Sequence, residues 1–455
     1  MNTDNINSTY LASIKDKRFL IVGLGKRTGV SAANLFEDLG IRYALSDSKP
    51  KDGIKDSIAL LKNKNAVLFS GEQNPEQLDG IDIVLLSPGV PPDIPLVTEA
   101  MRRGIPVLSE IELGFNLIRD AVFIGITGTD GKTTTTTLTS QILATTYPVH
   151  TLGNIGVALC DRITSIRPKD IVLLELSSFQ LEMTDRFRPH IAALLNLSYD
   201  HLDRYKNMDE YFAAKKRITL RQTRDDTLIL NADNAYTAAF AREIQHTSVR
   251  TFSSSKQADM CLDGDYLMHN GKQLFSLSNV RIAGVHNREN IMAAALIALG
   301  MDVPVDRIEK AVNDFRGVPH RIELVPTNDG IRWYNDSKAT TLQAVMRALE
   351  SFPAGVILIM GGRNKGLDFG LLKDQIHAKA KKLIVTGEAS DEIAAAIMHP
   401  DTQNIRDFDE AVAAARKAAK AGDVILFSPA CTSYDRFRNY EERGDYFKSL
   451  VTARA

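Results

Sequence analysis

The sequence predicts an α/β protein with three domains. Its 455 residues correspond to about three domains of ordinary size. Near both ends of the chain, short apolar runs alternate with segments of helical periodicity, a pattern typical of parallel β-α-β units. Between them, an apolar run leads directly into a loop rich in glycine and threonine. We therefore expect a Rossmann-like N-terminal domain, a central mononucleotide-binding domain of the P-loop type, and a Rossmann-like C-terminal domain.

The composition argues against several classes of protein. Apolar residues make up 44% of the chain, charged residues 24%, and the net charge is −1, so nothing indicates a nucleic-acid or membrane partner. The three cysteines lie far apart and form neither a disulfide framework nor a metal-binding spacing. No apolar run approaches the roughly 20 residues that span a bilayer. We expect a cytoplasmic multidomain protein that is a monomer.

The first domain is predicted to span residues 1–110. Buried strands are expected at "FLIVGLG", "YALSDS", "AVLFS" and "DIVLLSPGV", with a helix at "VSAANLFEDLG" that stops at Gly40. The loop "GLGKRTG" partly matches the dinucleotide-binding pattern G-x-G-x-x-G. Its last glycine comes one place late, at Gly29, which argues against a dehydrogenase.

The central domain is predicted to span residues 111–317. Strands are expected at "AVFIGIT", "DIVLLEL" and "IAALLNL", and a helix at "NRENIMAAALIALG" that ends at Gly300. Residues 226–282 have a β-rich pattern, with a turn at "HNGK".

The third domain is predicted to span residues 318–455. It has strands at "GVILIMGG", "KKLIVTG" and "DVILFSP", and a helix at "DEAVAAARKAAKAG" with a glycine stop.

The stretch "GITGTDGKTTTT" has the context of a phosphate-binding loop. It follows an apolar strand and precedes a run that favours a helix. Glycines let backbone N–H groups face phosphate oxygens, and the helix N-terminus adds partial positive charge. Lys132 is placed to reach the outer phosphates and Thr133 to bind Mg²⁺. The glycines at 125, 128 and 131 depart from G-x-x-x-x-G-K-[ST], which indicates a different loop path.

Two further residues are candidate Mg²⁺ ligands. Glu175 ends the apolar strand "DIVLLEL", and a carboxylate there is a hard oxygen donor of the kind that Mg²⁺ prefers. His201 stands in "YDHLDRY" with Asp200 and Asp203, just after another strand. A ligand role and a proton-transfer role both remain open for this histidine on the residues alone.

The loop resembles the G-x-x-G-x-x-G-K-[ST]-[ST] loop of the Mur ligases, the ATP-dependent amino-acid ligases of peptidoglycan synthesis. Further stretches match that family in order: "GNIG", "ELSSFQLE", "DHLDRY", "YFAAKKRI", "HNREN", "PHRIE", "YNDSKAT", "GGRNKG" and "FSPACTSYDRFRNYEERG". The "NDSKAT" and "SPACTSYDRFRNYEERG" stretches resemble the branch that adds D-glutamate. The resemblance covers essentially the whole chain.

This resemblance implies a ligase reaction in two steps. ATP phosphorylates the terminal carboxylate of UDP-MurNAc-L-Ala to an acyl phosphate, and the amine of D-glutamate attacks it to give a tetrahedral intermediate. Both steps build negative charge, so the site needs cations more than a protein nucleophile. The expected cofactors are two Mg²⁺ ions and a carbamylated Lys215, because an ammonium cannot ligate Mg²⁺ whereas a carbamate can.

The resemblance also implies a role for individual residues. The expected catalytic residues are Lys132, His201, Lys215 and Lys338. The expected metal ligands are Thr133, Glu175, His201 and Lys215 as its carbamate. The expected ATP contacts are Gly128, Thr129, Asp130, Gly131, Lys132, Thr133, Thr134, Asn287, Asn290, Arg321 and Asp336. The UDP substrate is expected at Gly25, Asp47, Ser87 and Asn154. D-glutamate is expected at Thr340, Lys365, Ser433 and Tyr440.

Some positions depart from the family pattern. "GLGKRTG" carries one extra residue, Asp130 stands where Asn is commoner, Thr341 often aligns with Asn, and Tyr440 with Phe. Two alternatives to D-glutamate ligation stay open: a Mur-type ligase that adds another amino acid, and a regulatory protein that senses ATP without ligation. The candidate metal ligands argue against mere sensing.

Overall fold

The computed structural model of the protein describes residues 5–201, 204–282 and 284–453. The chain divides into two compact units, one formed by Met1–Asn279 with Val285–Asn313 and the other by Val280–Gly284 with Asp314–Ala455. Each unit is described by itself. No helix in the described ranges is long and apolar enough to cross a membrane.

The first unit contains a five-stranded parallel sheet near its N-terminus. Its strands are β1 (Arg18–Val22), β2 (Arg42–Asp47), β3 (Leu68–Ser70), β4 (Ile83–Leu86) and β5 (Val107–Ser109). The accompanying helices are α1 (Ser8–Ile14), α2 (Thr28–Leu39), α3 (Lys55–Leu60), α4 (Pro95–Arg102) and α5 (Glu110–Leu117). The strand order β3-β2-β1-β4-β5 reverses between β1 and β4. Open α/β sheets bind ligands at such a switch point, beyond the carboxyl ends of the strands.

The same unit contains a nine-stranded sheet of order β14-β13-β12-β11-β10-β9-β6-β8-β7. Its strands are β6 (Val122–Thr127), β7 (Val149–Gly153), β8 (Ile171–Glu175), β9 (Ile191–Leu194), β10 (Thr227–Asn231), β11 (Ser248–Ser253), β12 (Met260–Asp263), β13 (Tyr266–His269) and β14 (Lys272–Ser276). Its helices are α6 (Lys132–Leu143), α7 (Ser178–Leu181), α8 (Met208–Lys216), α9 (Ala235–Glu243), α10 (Val285–Gly300) and α11 (Val305–Asp314). Among these strands, β13 runs opposite to the others, because it pairs antiparallel with both β12 and β14. Residues Asn270 and Gly271 form the turn between β13 and β14.

The second unit contains a six-stranded sheet of order β15-β16-β20-β17-β18-β19. Its strands are β15 (Glu323–Val325), β16 (Arg332–Asn335), β17 (Val356–Gly361), β18 (Ala380–Thr386), β19 (Thr402–Asn404) and β20 (Val424–Phe427). Its helices are α12 (Leu342–Glu350), α13 (Lys373–Lys379), α14 (Ser390–Ile397), α15 (Phe408–Ala418) and α16 (Tyr440–Thr452). Apolar clusters cover both faces of the sheet, as expected for parallel strands that are buried on both sides.

The α/β architecture expected from the sequence is confirmed, and each of the three sheets lies inside one predicted domain range. The domain boundaries themselves stay predictions. One helix end differs from expectation, because α15 ends at Ala418 rather than near Gly422. Ala419 takes an extended conformation, and the backbone N–H of Lys420 donates to Asp423 Oδ2. That local bond competes with a further helical turn.

Candidate active site

The phosphate loop joins β6 to α6. Gly128 has φ +149° and Gly131 has φ +77°, conformations that residues with a Cβ rarely adopt. A Cβ on Gly131 would also lie 2.2 Å from Asn290 Oδ1. Gly125 has a packing role instead, because its Cβ would meet Ile218 Cδ1 at 3.0 Å. The unusual glycine spacing therefore combines one packing position with two positions set by backbone conformation.

The start of α6 is suited to bind an anion. Its N-cap, Gly131, supplies no side-chain hydrogen bond to the first turn, so the N–H groups of that turn need other acceptors. Lys132 lies at the same point, and its Nζ donates to the carbonyl oxygens of Gly128 at 2.9 Å and Thr129 at 2.8 Å. Thr133 and Thr134 follow, each 8% exposed.

The structure shows which groups the carboxylate and the backbone of Asp130 contact. The carboxylate Oδ2 accepts from Ser198 Oγ at 3.1 Å, and the backbone N–H donates to Asn196 Oδ1 at 2.8 Å. The N–H of Thr129 donates to the same amide oxygen at 3.1 Å. Asn196, which the sequence analysis missed, thus holds the middle of the loop. Asn196 could have been noticed from its place near the end of the run "IAALLNL". That run contains β9, which pairs with β6, the strand before the phosphate loop.

Glu175 combines burial with an oxygen that lacks a partner. The residue is 2% exposed, and Oε1 accepts from Asn154 Nδ2 at 2.8 Å. Oε2 is buried and has no hydrogen-bond partner within the described ranges. Buried carboxylate oxygens are normally paired, and hard oxygen donors suit Mg²⁺. Glu175 is therefore suited to bind a divalent cation through Oε2.

Lys215 lies directly behind the phosphate loop. It is 1% exposed, its Nζ donates to Gly128 O at 2.8 Å, and the ammonium lies 4.5 Å from the centre of the Tyr211 ring. Burial, together with the charge of Lys132, holds the pKa of Lys215 well below its usual range. A buried amine of lowered pKa is more often neutral and nucleophilic than an exposed lysine.

His201 has a left-handed backbone, with φ +54°. Its Nε2 lies 3.6 Å from Asp200 Oδ2, and its ring packs 4.8 Å from that of Phe179 and 5.8 Å from that of Tyr211. Asp203, the second aspartate of this segment, lies outside the described residues. Within the described ranges no three His, Cys, Asp or Glu side chains form a metal cluster, so a metal here would also need threonine, modified lysine or phosphate oxygens.

Asn287 and Asn290 lie on α10 against the helix of the phosphate loop. Asn290 Oδ1 accepts from Thr135 Oγ1 at 3.1 Å, and Asn290 Nδ2 donates to Asn287 Oδ1 at 3.2 Å. The first unit thus places both asparagines beside the loop, as nucleotide contacts require.

A cavity of about 600 Å³ lies at the switch point of the first sheet. It is lined by all four residues predicted for the UDP substrate, namely Gly25, Asp47, Ser87 and Asn154. Asp47 orders the first loop by accepting from the N–H groups of Leu24 at 2.7 Å and Lys49 at 2.9 Å.

The loop with the extra residue also lines this cavity, through Lys26, Arg27 and Thr28. Gly29 remains the point of close approach, because its Cβ would lie 2.3 Å from Gly23 O. Arg27, another residue without a predicted role, donates to the carbonyl oxygens of Gly153 and Asn154. The loop with the extra residue is therefore joined by hydrogen bonds to the end of β7.

The second unit gathers the predicted nucleotide residues around the end of β16. Asp336 is buried, and its oxygens accept from Ser428 Oγ at 2.7 Å and from the N–H of Ile322 at 3.2 Å. Burial raises the pKa of Asp336 to about 7. Arg321 lies in the adjoining turn. Burial and the charge of Lys448 lower the pKa of His320.

Lys338 lies close to His320 and Tyr440. Its N–H donates to His320 O at 3.0 Å, and its Nζ lies 5.8 Å from the centre of the Tyr440 ring. Thr340 donates its N–H to Lys338 O at 2.9 Å, so the predicted D-glutamate residues Thr340 and Tyr440 both contact this segment.

Lys365 and Ser433 lie on two loops that are joined by hydrogen bonds. The loops follow the neighbouring strands β17 and β20, and the N–H groups of Arg363 and Thr432 donate to each other's carbonyl oxygens at 3.0 and 3.1 Å. Arg443, which had no predicted role, is 2% exposed and donates to Ser337 O and Cys431 O. It fixes the "NDSK" segment against the loop of Ser433.

Three family models match the chain. The model "Mur ligase MurD-like, N-terminal domain" matches residues 17–109, "Mur ligase middle domain" matches 126–298, and "Mur ligase, glutamate ligase domain" matches 320–431.

Curated relatives match over nearly the full length. A UDP-N-acetylmuramoylalanine--D-glutamate ligase of Koribacter versatilis is 38% identical, over 96% of this chain and 98% of its own. One of Geotalea daltonii is 40% identical, over 97% and 98%. Among solved structures, the MurF ligase of Thermotoga maritima in complex with ADP covers 98% of this chain, with 97% of its own covered, at a TM-score of 0.57 and 16% identity. That last likeness concerns the fold alone. The chain belongs to the Mur ligase family.

Proposed function

We propose that this chain is an ATP-dependent ligase that joins D-glutamate to UDP-N-acetylmuramoyl-L-alanine in peptidoglycan precursor synthesis. The observation that carries this proposal is its identity of 38–40% with D-glutamate ligases over nearly their whole length. The phosphate loop and the cavity with all four predicted UDP-substrate residues support it. The nucleotide-linked substrate agrees with the cytoplasmic location expected from the sequence.

The reaction requires activation of a carboxylate. The terminal carboxylate oxygen of the substrate attacks the γ-phosphorus of ATP, ADP leaves, and an acyl phosphate forms. The amine of D-glutamate then attacks the acyl carbon, loses a proton, and phosphate leaves as the amide forms. Charge accumulates at the transferred phosphoryl group in the first step. Lys132 and the first turn of α6 would offset that charge, and the family resemblance implies the same role for Lys338.

Glu175 is the residue best suited to hold Mg²⁺, because one of its buried oxygens lacks a partner within the described ranges. Thr133 at the start of α6 and His201 would complete the protein ligands with a carbamylated Lys215. Bound Mg²⁺ would supply positive charge against the phosphates. The chain itself orients Glu175 through the hydrogen bond from Asn154 Nδ2.

Lys215 is suited to carbamylation because it is buried behind the loop. The neutral amine nitrogen would attack CO₂, a C–N bond would form, and one proton would leave, which gives an anionic oxygen donor. The 2.8 Å bond from Nζ to Gly128 O fixes the side chain beside the phosphate loop.

The incoming amino acid would be held by the second unit. Lys365 would pair with a carboxylate of D-glutamate, and Ser433 would donate a hydrogen bond to it. Thr340 and Tyr440 lie on the segments that adjoin Lys338. These roles follow from the family resemblance and from the loop contacts described above.

The proposal is tested by phosphate release with ATP, Mg²⁺ and UDP-MurNAc-L-Ala while the amino acid is varied. We expect turnover with D-glutamate and little with L-glutamate, D-alanine or diaminopimelate. Omission of the UDP substrate should abolish release. Strong turnover with another amino acid would indicate a different Mur-type ligase, and ATP binding without any ligation would indicate a nucleotide sensor.

A further inference from the structure

Arg204 connects the wall of the UDP-substrate cavity to the central sheet. It lies between β9 and α8, and its side chain is 11% exposed. Its Nη1 donates to Pro88 O and its Nη2 to Val90 O, both at 3.2 Å. Pro88 and Val90 line the cavity beside Ser87. One side chain from the central domain therefore holds two carbonyl groups of the cavity wall.

The same arginine lies in the turn that carries His201. The N–H groups of Arg204 and Tyr205 both donate to His201 O at 3.0 Å. The Arg204 guanidinium lies 4.3 Å from the centre of the Phe179 ring, which itself packs against the His201 ring. Arg204 is thus linked to His201 by backbone bonds and by a shared aromatic neighbour.

Glu182 fixes the arginine between these two elements. Its carboxylate accepts from Arg204 Nη2 and, at 2.6 Å, from Tyr205 OH. Arg204 Nε is buried and has no hydrogen-bond partner in the part of the chain that the structure describes. A buried ion pair with an unsatisfied N–H contributes little to stability compared with apolar packing. The planar guanidinium can, however, bind two carbonyl groups and a carboxylate at once, which suits a connecting role.

We propose that Arg204 is a positioning residue that couples filling of the UDP-substrate cavity to the placement of the His201 turn. The proposal rests on the proposed function, because it assumes that the cavity takes the UDP substrate. In trans peptides the carbonyl and the following N–H point in opposite directions. The bond to Pro88 O therefore turns the N–H of Gly89, another cavity residue, away from Arg204. A substrate that contacts this wall acts on the arginine and hence on His201.

Hydrogen exchange tests the coupling directly. UDP-MurNAc-L-Ala alone, without ATP, should slow amide exchange in residues 195–201 and 204–207 of the wild-type chain. Arg204→Ala should bind the substrate more weakly and, even at saturation, should lose that protection. Arg204→Lys keeps the charge beside Glu182 but cannot span both carbonyls, so we expect partial protection. A purely structural role would not make the protection depend on the ligand.

Steady-state kinetics provide the second measurement. Arg204→Ala should raise KM for the UDP substrate about tenfold, within the usual range of coupling between sites, and leave KM for ATP within about twofold of wild type. Arg188→Ala is a matched control. Its guanidinium also pairs with a carboxylate, on Asp226 at 2.7 Å, and donates to Thr223 Oγ1 at 2.9 Å. It does not line the cavity, so this variant should keep both KM values.

Three outcomes would overturn the coupling. One is full ligand-induced protection in Arg204→Ala with an unchanged KM for the UDP substrate. Another is a parallel rise of all KM values in Arg204→Ala and Arg204→Lys, which would indicate a folding defect only. The third is an Arg188→Ala variant that reproduces the Arg204→Ala phenotype. A wild-type chain that ligates no amino acid would contradict the proposed function instead, and exchange with the UDP substrate would still decide the role of Arg204.

Discussion

Lys215 and Lys216 are adjacent in the sequence but lie in different surroundings. The Nζ of Lys215 donates to Gly128 O at 2.8 Å, and the residue is 1% exposed. Lys216 is half-buried and places its ammonium 5.0 Å from the ring centre of Phe212 and 5.5 Å from that of Phe240. Only Lys215 contacts the phosphate loop. A shift of one residue would exchange the two lysines, and the geometry favours Lys215 as the modified residue.

Replacement of this lysine should separate a chemical role from a structural one. Lys215→Ala should lower kcat about 100-fold or more, because it would remove an anionic ligand next to the phosphates. Short carboxylic acids such as acetate should restore part of the activity, because they can supply the missing oxygen donor. The measurement is phosphate release with and without added acetate.

The neighbouring lysine provides the control. Lys216→Ala should keep most of the activity and gain nothing from acetate. Full activity of Lys215→Ala without acetate, or rescue of both variants to the same extent, would rule out the carbamate.

Position along the chain was enough to find some of these residues but not others. Lys132 was predictable because its loop follows an apolar strand, and Glu175 because it ends one. Parallel strands end at one edge of a sheet. Asn196 was marked only by its place in an apolar run, and Arg204 by no local pattern, because their roles depend on partners 66 and 116 positions away. Contacts of that kind arise from the packing of separate segments.

At the scale of elements, the loop between β6 and α6 depends on the conformation of Gly131. Gly131→Ala should lower the free energy of unfolding by about 1–2 kcal/mol, the usual cost of a left-handed residue with a Cβ. The added methyl group would also displace Asn290, whose Oδ1 lies 2.2 Å from the position of that Cβ. Redirection of the N–H groups at the start of α6 should weaken ATP binding by roughly tenfold or more.

A control at a second glycine separates the effect of backbone strain from the effect of the contact with Asn290. Gly264 has φ +59° and open space around its Cβ position, so Gly264→Ala should share the strain but keep ATP affinity. Thermal unfolding and calorimetric titration with ATP measure both quantities. Equal ATP affinity in the two variants would contradict the role of the loop.

The helix α5 of the first unit begins with a buried carboxylate. Glu110 is 1% exposed, and its Oε1 accepts from the N–H of Cys160 at 2.7 Å. Burial raises the pKa of Glu110 to about 7. Between pH 4.5 and about 7 the folded chain therefore keeps a proton that the unfolded chain releases. Since the unfolded state binds fewer protons, stability falls as pH rises through this window.

Glu110→Gln should remove that dependence and keep the acceptor for Cys160. The free energy of unfolding of the variant, relative to wild type, should rise with pH up to about 7 and then level off. A shift from 4.5 to about 7 corresponds to about 3 kcal/mol at the plateau. Denaturant unfolding of both proteins between pH 5 and 8 measures the difference. A difference that stays constant with pH would show that Glu110 ionises normally.

The predictability of strands followed the continuity of their apolar runs. Strands that lie in an unbroken apolar run were found, and so was the turn at Asn270 and Gly271. The missed strands β5, β7, β15, β16 and β19 have three to five residues each. Segments this short that mix apolar with polar residues carry too little pattern to be recognised. They become strands because a neighbouring strand offers backbone partners.

At the scale of the whole molecule, the predicted site residues divide between the two compact units. The phosphate loop, Glu175, Lys215 and the UDP-substrate cavity belong to the first unit, and Lys338 to the second. The sequence could assign these residues through the family resemblance, but not the contacts within each unit that hold them. Substrate binding and catalysis should therefore be separable by variants in different units.

Lys338→Ala should lower kcat about 100-fold without weakening the binding of the UDP substrate. Its ammonium would offset charge on the transferred phosphoryl group, and loss of one such group costs about 100-fold in kcat. The dissociation constant of UDP-MurNAc-L-Ala should stay within about twofold, because the cavity residues all belong to the first unit. Asn154→Ala should weaken that binding about tenfold by loss of a cavity contact, and it should also lower turnover because Asn154 Nδ2 holds Glu175. Calorimetry with the UDP substrate and single-turnover phosphate release measure the two effects separately. Weaker substrate binding in Lys338→Ala would show that the second unit also holds the UDP substrate.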